Sequence, residues 1–407
     1  MTALHVRKAN WHEFLVYLLN RPLAYAILEV SRRLGEVVHI PRIGYVISDA
    51  EVARAVLTDS EHFDSHSAGS LGVLVTQALG PYALLNMDGA DHKDLKRRLL
   101  EVFSTRYINK LMDSATADLT HALQKDLSAG RAVDLVTFMK HFASRMACEL
   151  IGVNVARENE QALYADMFTL ATDFTALAGL GKRRLMARDL QRAQRIVEQL
   201  STHIRGSYEN DQVRDNSLTQ QMRARGFTFD EVKGVVIIVM IGATELITYG
   251  MPRVFALLVD SGQIDALRAR PALLDQAIDA GFRFVTPSNV ILRAVAADCE
   301  ILGYRFRQGE RALIVFHNIM RQEKHFPHAG NFDIERPSDP RFHRLLFGAG
   351  PHMCLGTGLA IAEARKVLTT IMELAGDFEI LRRRYNRGKT YPGYSSLLIR
   401  LHPYQTS

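Results

Sequence analysis

Helical periodicity runs through most of this chain, and few stretches alternate with a period of two. Apolar residues recur at helical spacing over Trp11–Leu34, Asp49–Thr58, Asp91–Val102, Ser104–Leu127, Leu135–Ile151, Glu158–Leu177, Lys182–Glu209, Ser217–Arg225 and Phe229–Ser261. They do so again over Ile264–Arg270, Ala272–Thr286 and Leu355–Ala375. Strand signals are short: Glu36–Ile40 and Gly44–Ser48 read as a hairpin across Pro41-Arg42, Arg293–Ala297, Arg305 and Ala312–Phe316 suggest a second small sheet, and Thr390–Leu401 reads as strand and turn. The predicted fold class is mainly α with small β-sheets, and the absence of alternating strand and helix argues against a dinucleotide-binding fold. Pro252, inside Phe229–Ser261, is expected to kink or divide that helix.

With 407 residues, 47% hydrophobic and 23% charged, the chain can bury a large core. Its three cysteines, Cys148, Cys299 and Cys354, are far apart, so neither a disulfide framework nor a CxxC zinc site is written in it, and the pattern suits a reducing compartment. The longest apolar run, Val235 to Ala243, is too short to span a bilayer, and no signal peptide or membrane anchor is visible; a cytoplasmic location is expected. The net charge of +6 comes without a Lys/Arg block interleaved with aromatics, which favours a basic face for an acidic protein partner over nucleic acid.

The densest local signal is Phe347-Gly348-Ala349-Gly350-Pro351-His352-Met353-Cys354-Leu355-Gly356. Glycines permit positive φ and close backbone approach, so such a loop can aim amide N–H groups at one sulfur, and a helix starting near Cys354 adds its N-terminal dipole. Both favour a thiolate, a soft ligand for a transition metal. Taken alone, the run is equally a Gly-rich turn with a buried cysteine before a helix.

The run is similar to the haem-binding signature of the cytochrome P450 family, with Phe347, Gly348, Gly350, Cys354 and Gly356 at matching places, and the following Leu359–Arg365 resembles the helix after the cysteine in bacterial members. The resemblance covers nearly the whole chain and implies a single cytochrome P450 domain over residues 1–407 that binds haem b, with Cys354 as the iron ligand. It also implies propionate contacts from His92 and Lys96 in Asp91–Arg98, from Arg293, from His352 and from Arg344, with Lys96 standing where the family usually has Arg.

Two places depart from the family pattern. The distal helix usually carries small residues followed by an acid and a threonine that deliver protons; here the run is Ile241-Gly242-Ala243-Thr244-Glu245-Leu246. Aligned without gaps, Gly242 keeps its place, Thr244 falls on the acid position and Glu245 on the alcohol position. Shifted by one, Glu245 takes the acid position and Leu246 replaces the threonine. Gly242, Thr244 and Glu245 are the candidate catalytic residues. Second, the family's Glu-x-x-Arg motif falls on Ala280-Gly281-Phe282-Arg283, leaving Arg283 and a partner arginine, Arg336, without the bridging glutamate; Asp279 is expected to stand in for it beside Arg283.

By the same resemblance the substrate pocket is lined from Ser70–Leu85, Met167–Leu177, Val235–Glu245, Pro287–Leu292 and Gly393–Leu397. Leu71, Val73, Leu74, Val290 and Leu397 supply apolar surface, and Thr76, Ser288, Asn289, Ser395 and Ser396 polar groups, which suits a medium-sized, partly polar small molecule. Lys96, Arg97, Arg98, Arg344, Arg365 and Lys366 are expected to cluster on the cysteine side, where a ferredoxin or flavodoxin would dock, because the chain has no flavin or nicotinamide domain of its own. The expected activity is that of a haem–thiolate monooxygenase or oxidase of secondary metabolism. The alternatives are a peroxide-dependent or non-oxygenating enzyme, or a catalytically weak haem-binding docking module.

Overall fold

A computed structural model of the chain describes residues 3–67, 69–100, 102–153, 156–177, 186–209, 217–337 and 339–404. The N-terminal helical stretch is two helices, α1 (Ala3–Asn20) and α2 (Pro22–Leu34), turned by 120° between Asn20 and Pro22. The break is local chemistry: a proline cannot sit inside a helix without losing a hydrogen bond, but it fits the first turn, where Pro22 stands. A hairpin of β1 (Val37–Ile40) and β2 (Gly44–Ile47) follows, then α3 (Ala50–Thr58), capped by Asp49 on the amides of Glu51 and Val52, and the short β3 (Phe63–Asp64).

Ser70–Leu85, expected to line the pocket and not among the helices read from the sequence, contains most of α4 (Gly69–Leu79). After it come α5 (Gly89–Leu99), α6 (Thr105–Ser128), β4 (Val133–Asp134), α7 (Leu135–Ile151), α8 (Glu160–Leu177), α9 (Ala187–Glu209) and α10 (Leu218–Ala224). The predicted start of the α9 helix at Lys182 lies outside the described residues.

The centre is α11 (Phe229–Asp260), started by a capping box in which Thr228 and Glu231 satisfy each other's backbone amides. It packs against α1, α7, α8 and α9. By length and composition α11 is apolar enough to cross a membrane; most of it is buried within the protein, where it serves as the core helix. Pro252 does not divide it. The residue after that proline, Arg253, is fully buried, pairs with Glu13 of α1 and donates to Pro392 O at 3.1 Å, so tertiary contacts hold the helix through the proline.

The chain continues through α12 (Ile264–Ala269), α13 (Leu274–Val285), β5 (Val290–Val295), β6 (Cys299–Ile301), β7 (Tyr304–Phe306), β8 (Arg311–Val315) and α14 (Phe316–Ile319). It then runs without long elements to α15 (Thr357–Met372), and closes with β9 (Gly376–Tyr385) and β10 (Tyr394–Pro403). The larger sheet has the order β1-β2-β8-β5-β3, with only β2 and β8 parallel; β4, β10 and β9 form a second sheet, and β6 pairs with β7. β9 carries Arg382, Arg383 and Arg384 in succession and was not anticipated from an apolar pattern.

Candidate functional site

The cysteine loop sits between two 3₁₀ turns, Leu345–Phe347 and Gly350–His352, and the first turn of α15. Gly348 and Gly350 adopt φ of 84° and 63°, a region that side chains rarely tolerate. A Cβ on Gly350 would lie 2.9 Å from Thr58 Cα and 3.0 Å from Leu57 O, so the loop can press against α3 only with glycine there. Phe347 fixes the loop from within: its carbonyl accepts the Cys354 N–H at 2.8 Å, and its ring meets Phe282 edge-on at 6.1 Å. Gly356 precedes α15, and a Cβ there would stand 3.8 Å from the cysteine sulfur.

Cys354 keeps exposed surface although its sulfur is closely surrounded. Burial pushes the thiol pKa up, and the Gly356 amide, the Thr357 hydroxyl and Lys96 act against that without overcoming it. The Gly356 amide thus acts in the direction expected to favour a thiolate. Haem iron bound there would favour the thiolate further, and a sulfur framed by glycines suits such a ligand.

Around the loop, His92 is 2% exposed and stacks on His352 with ring centroids 4.4 Å apart. Its pKa is pushed down to about 4 by burial, by His352 and by Lys96, and its Nδ1 has no hydrogen-bond partner among the described residues. His352 Nε2 lies 2.8 Å from Asp88 Oδ1, and His66 Nδ1 lies 3.2 Å from the other carboxylate oxygen. Burial opposes the charge on Asp88, but these side chains hold its carboxyl below the usual range. Asp88 was not singled out from the sequence, because an Asp before a helix reads as an ordinary cap; here its side chain caps nothing and turns to the histidines.

Arg293 is buried on β5 and donates to Leu292 O at 2.9 Å; burial lowers its pKa, while Asp88 and Asp64 raise it. The orphaned His92 nitrogen and the deeply buried Arg293 guanidinium suit two carboxylates, as haem propionates would provide. Lys96 and Arg344 are occupied elsewhere. Lys96 Nζ donates to the carbonyls of Pro351 and Met353, the latter at 2.6 Å, and so ties α5 to the loop. Arg344 Nε and Nη2 lie 3.3 and 3.5 Å from the carboxylate of Asp279.

That pairing also corrects the role given to Asp279, which serves Arg344 and not Arg283. Arg283 donates instead to the carbonyls of Met320 at 2.6 Å, Ala329 at 3.2 Å and Asn331 at 3.3 Å, and lies over Phe326. Burial first, then Arg336 and Arg321, push its pKa down to about 9.

On α11, Ile238, Val239, Gly242, Ala243 and Leu246 keep part of their surface open and lie along one helical stripe. Thr244 and Glu245 are 1% and 0% exposed and turn away from that stripe. Thr244 Oγ1 donates to Met240 O at 2.9 Å, and Glu245 Oε2 accepts from Thr175 of α8 at 2.8 Å. Burial pushes the Glu245 carboxyl up to about 7, against the Thr175 hydrogen bond and Lys389. Glu245 is therefore buried off the stripe, and Leu246 stands on its open face.

Of the expected pocket residues, Leu74 and Leu397 are fully buried core, Ser396 donates to Asp134, and Thr76 accepts from Asn86; the side chain of Leu71 lies outside the described residues. The expected basic face is largely neutralised within the chain. Arg97 and Arg98 share Asp94, Arg365 pairs with Asp275, and Lys366 lies 3.2 Å from Asp113.

Comparison with known proteins agrees with this geometry. The cytochrome P450 family profile matches residues 27–266 and 260–375. The chain is 26% identical over 333 residues to 20-oxo-5-O-mycaminosyltylactone 23-monooxygenase of Streptomyces fradiae, covering 81% of this chain and 76% of that protein. It is 24% identical to pentalenic acid synthase of Streptomyces avermitilis, with 86% of each covered. Among solved structures, P450BioI in complex with an acyl carrier protein ligated to hexadec-9Z-enoic acid superposes with a TM-score of 0.79 at 17% identity, covering 93% of this chain and 98% of that one. The chain is a haem b protein with monooxygenase-type oxidoreductase activity, and it belongs to the cytochrome P450 family.

Proposed function

We propose that this P450 oxygenates a medium-sized organic substrate of secondary metabolism, held against the open stripe of α11. The observation that carries the reading is the character of the stripe: Ile238, Val239, Gly242, Ala243 and Leu246 present apolar surface with neither acid nor alcohol. Such a wall suits a largely hydrocarbon skeleton whose polar groups are met from other segments, Ser288 and Asn289 among them. The names of the relatives, a macrolide-intermediate monooxygenase and pentalenic acid synthase, support the same substrate class.

Haem held by Cys354 supplies oxygen activation when bound. The chain's own residues do the rest. Gly242 and Ala243 leave space beside the helix, Leu246 excludes water, and Glu245 holds a proton at its carboxyl, joined to Thr175 and displaced from the reacting face. His92, His352 and Arg293 would hold the haem propionates, while Lys96, Arg344, Phe347, Gly348 and Gly356 shape the loop. Electrons come from a ferredoxin or flavodoxin docking on the loop side. The chain works as one unit, since one hydrophobic cluster includes residues from Ala9 to Leu401, and its three free cysteines suit the reducing cytoplasm.

Leu246 also favours a second reading. With no hydroxyl on the open stripe, proton delivery to dioxygen is poorly served, and a peroxide-driven reaction would need less of it. Turnover under ¹⁸O-labelled dioxygen with a ferredoxin system separates the two. The first reading predicts one labelled oxygen atom in the product; product formed only with added hydrogen peroxide, and free of that label, contradicts it.

A further inference from the structure

The two buried arginines that lack the family's glutamate border a cavity of about 20 Å³ whose lining includes Gln276, Asp279, Ala280, Arg283, Arg336 and His343. That is room for one water-sized or monatomic occupant. Arg283 and Arg336 are 4% and 8% exposed. Arg336 Nη2 donates to the carbonyls of His328 and Asn331 at 2.7 and 2.9 Å, but its Nη1 is buried with no hydrogen-bond partner among the described residues. No carboxylate is hydrogen-bonded to either guanidinium among those residues. Asp333 and Glu323 are felt only at longer range, and the one carboxylate lining the cavity, Asp279, is engaged by Arg344 with His343 nearby. Two like charges thus share a poorly solvated space, one of them with an idle donor, beside the alanine that stands where the family pattern has an acid. Neutral carbonyls satisfy donors but leave the charge uncompensated.

We propose that this cavity binds one small monovalent anion, chloride in the cell, which takes over the task of the missing glutamate carboxylate in holding Arg283 and Arg336 together. The anion ties α13 to the segment leading to the cysteine loop, so the stability of that region depends on it.

The test uses the haem-loaded full chain. Its thermal midpoint is measured while chloride replaces gluconate, an anion too large for the cavity, at constant ionic strength. A bound ion raises the midpoint along a saturating curve, by about 2–4 °C or more once chloride well exceeds its dissociation constant. Ala280→Glu supplies a carboxylate in place and is expected to raise the midpoint in gluconate and abolish the chloride response. Crystals of the wild-type protein soaked in bromide should show an anomalous peak between the Arg283 and Arg336 guanidinium groups. Coincident chloride and gluconate curves, an equal chloride response in Ala280→Glu, or bromide-soaked crystals with no peak there would each overturn the proposal. If Ala280→Glu fails to fold, the wild-type titration and the bromide peak still decide.

Discussion

Glu245 of α11 accepts a 2.8 Å hydrogen bond from the hydroxyl of Thr175 of α8, with its second carboxylate oxygen buried and unpartnered among the described residues. Burial places its pKa near 7 in the fold, above the ordinary carboxylate value. A group whose folded pKa is raised stabilises fully below its unfolded pKa and loses that contribution as pH rises to the folded value. The Glu245 contribution is therefore lost between about pH 4.5 and 7, at most about 3.5 kcal/mol at roughly 1.4 kcal/mol per unit, while buried His92, with its pKa pushed down to about 4, acts in the opposite direction over the same range. Across that range the urea midpoint of wild type should fall relative to that of Glu245→Gln, in which the histidine contributions are unchanged. Parallel profiles would show that Glu245 is not the titrating group.

Lys96 bridges α5 and the cysteine loop through two loop carbonyls. Lys96→Met keeps the length of the side chain and removes the donors, leaving those carbonyls without their cation. We expect a loss of about 1–3 kcal/mol and faster haem release, read by thermal unfolding and by haem transfer to an acceptor protein. Unchanged values would mean that the loop holds its shape without Lys96.

Gly350 combines a positive φ with backbone atoms of α3 where a Cβ would go. Gly350→Ala should destabilise the haem-loaded protein by about 1–3 kcal/mol or more. Gly330→Ala, at a glycine with open space around it and no positive φ, should stay within about 0.5–1 kcal/mol. Equal midpoints for the two variants would contradict the close contact between loop and α3.

Much of the fold was legible in the sequence, because long helices advertise themselves by periodicity and caps: α7 was bounded correctly from Leu135 to Ile151, and α11 to within a residue. Short-range chemistry explains the exceptions. Pro22 split a continuous apolar pattern, α4 carries few polar residues to mark a helical face, and the arginines of β9 hid its strand. The cysteine loop was readable because its glycines are fixed by steric demands. Partner choice was not readable: whether Lys96 meets a carbonyl or a carboxylate, and whether Asp279 turns to Arg283 or Arg344, depends on contacts between residues up to 257 positions apart. The distal helix lay between these cases. Its residues allowed two alignments, and only tertiary packing shows that Glu245 is buried while Leu246 stays open.

The central claim is that Cys354 binds haem iron as a thiolate. It is tested most directly by the carbon monoxide difference spectrum of the reduced, haem-loaded protein, recorded for wild type and Cys354→Ser. Wild type should show the thiolate-type band and Cys354→Ser should lose it. A wild-type protein that takes up no haem, or a serine variant with the same thiolate-type band, would contradict the account.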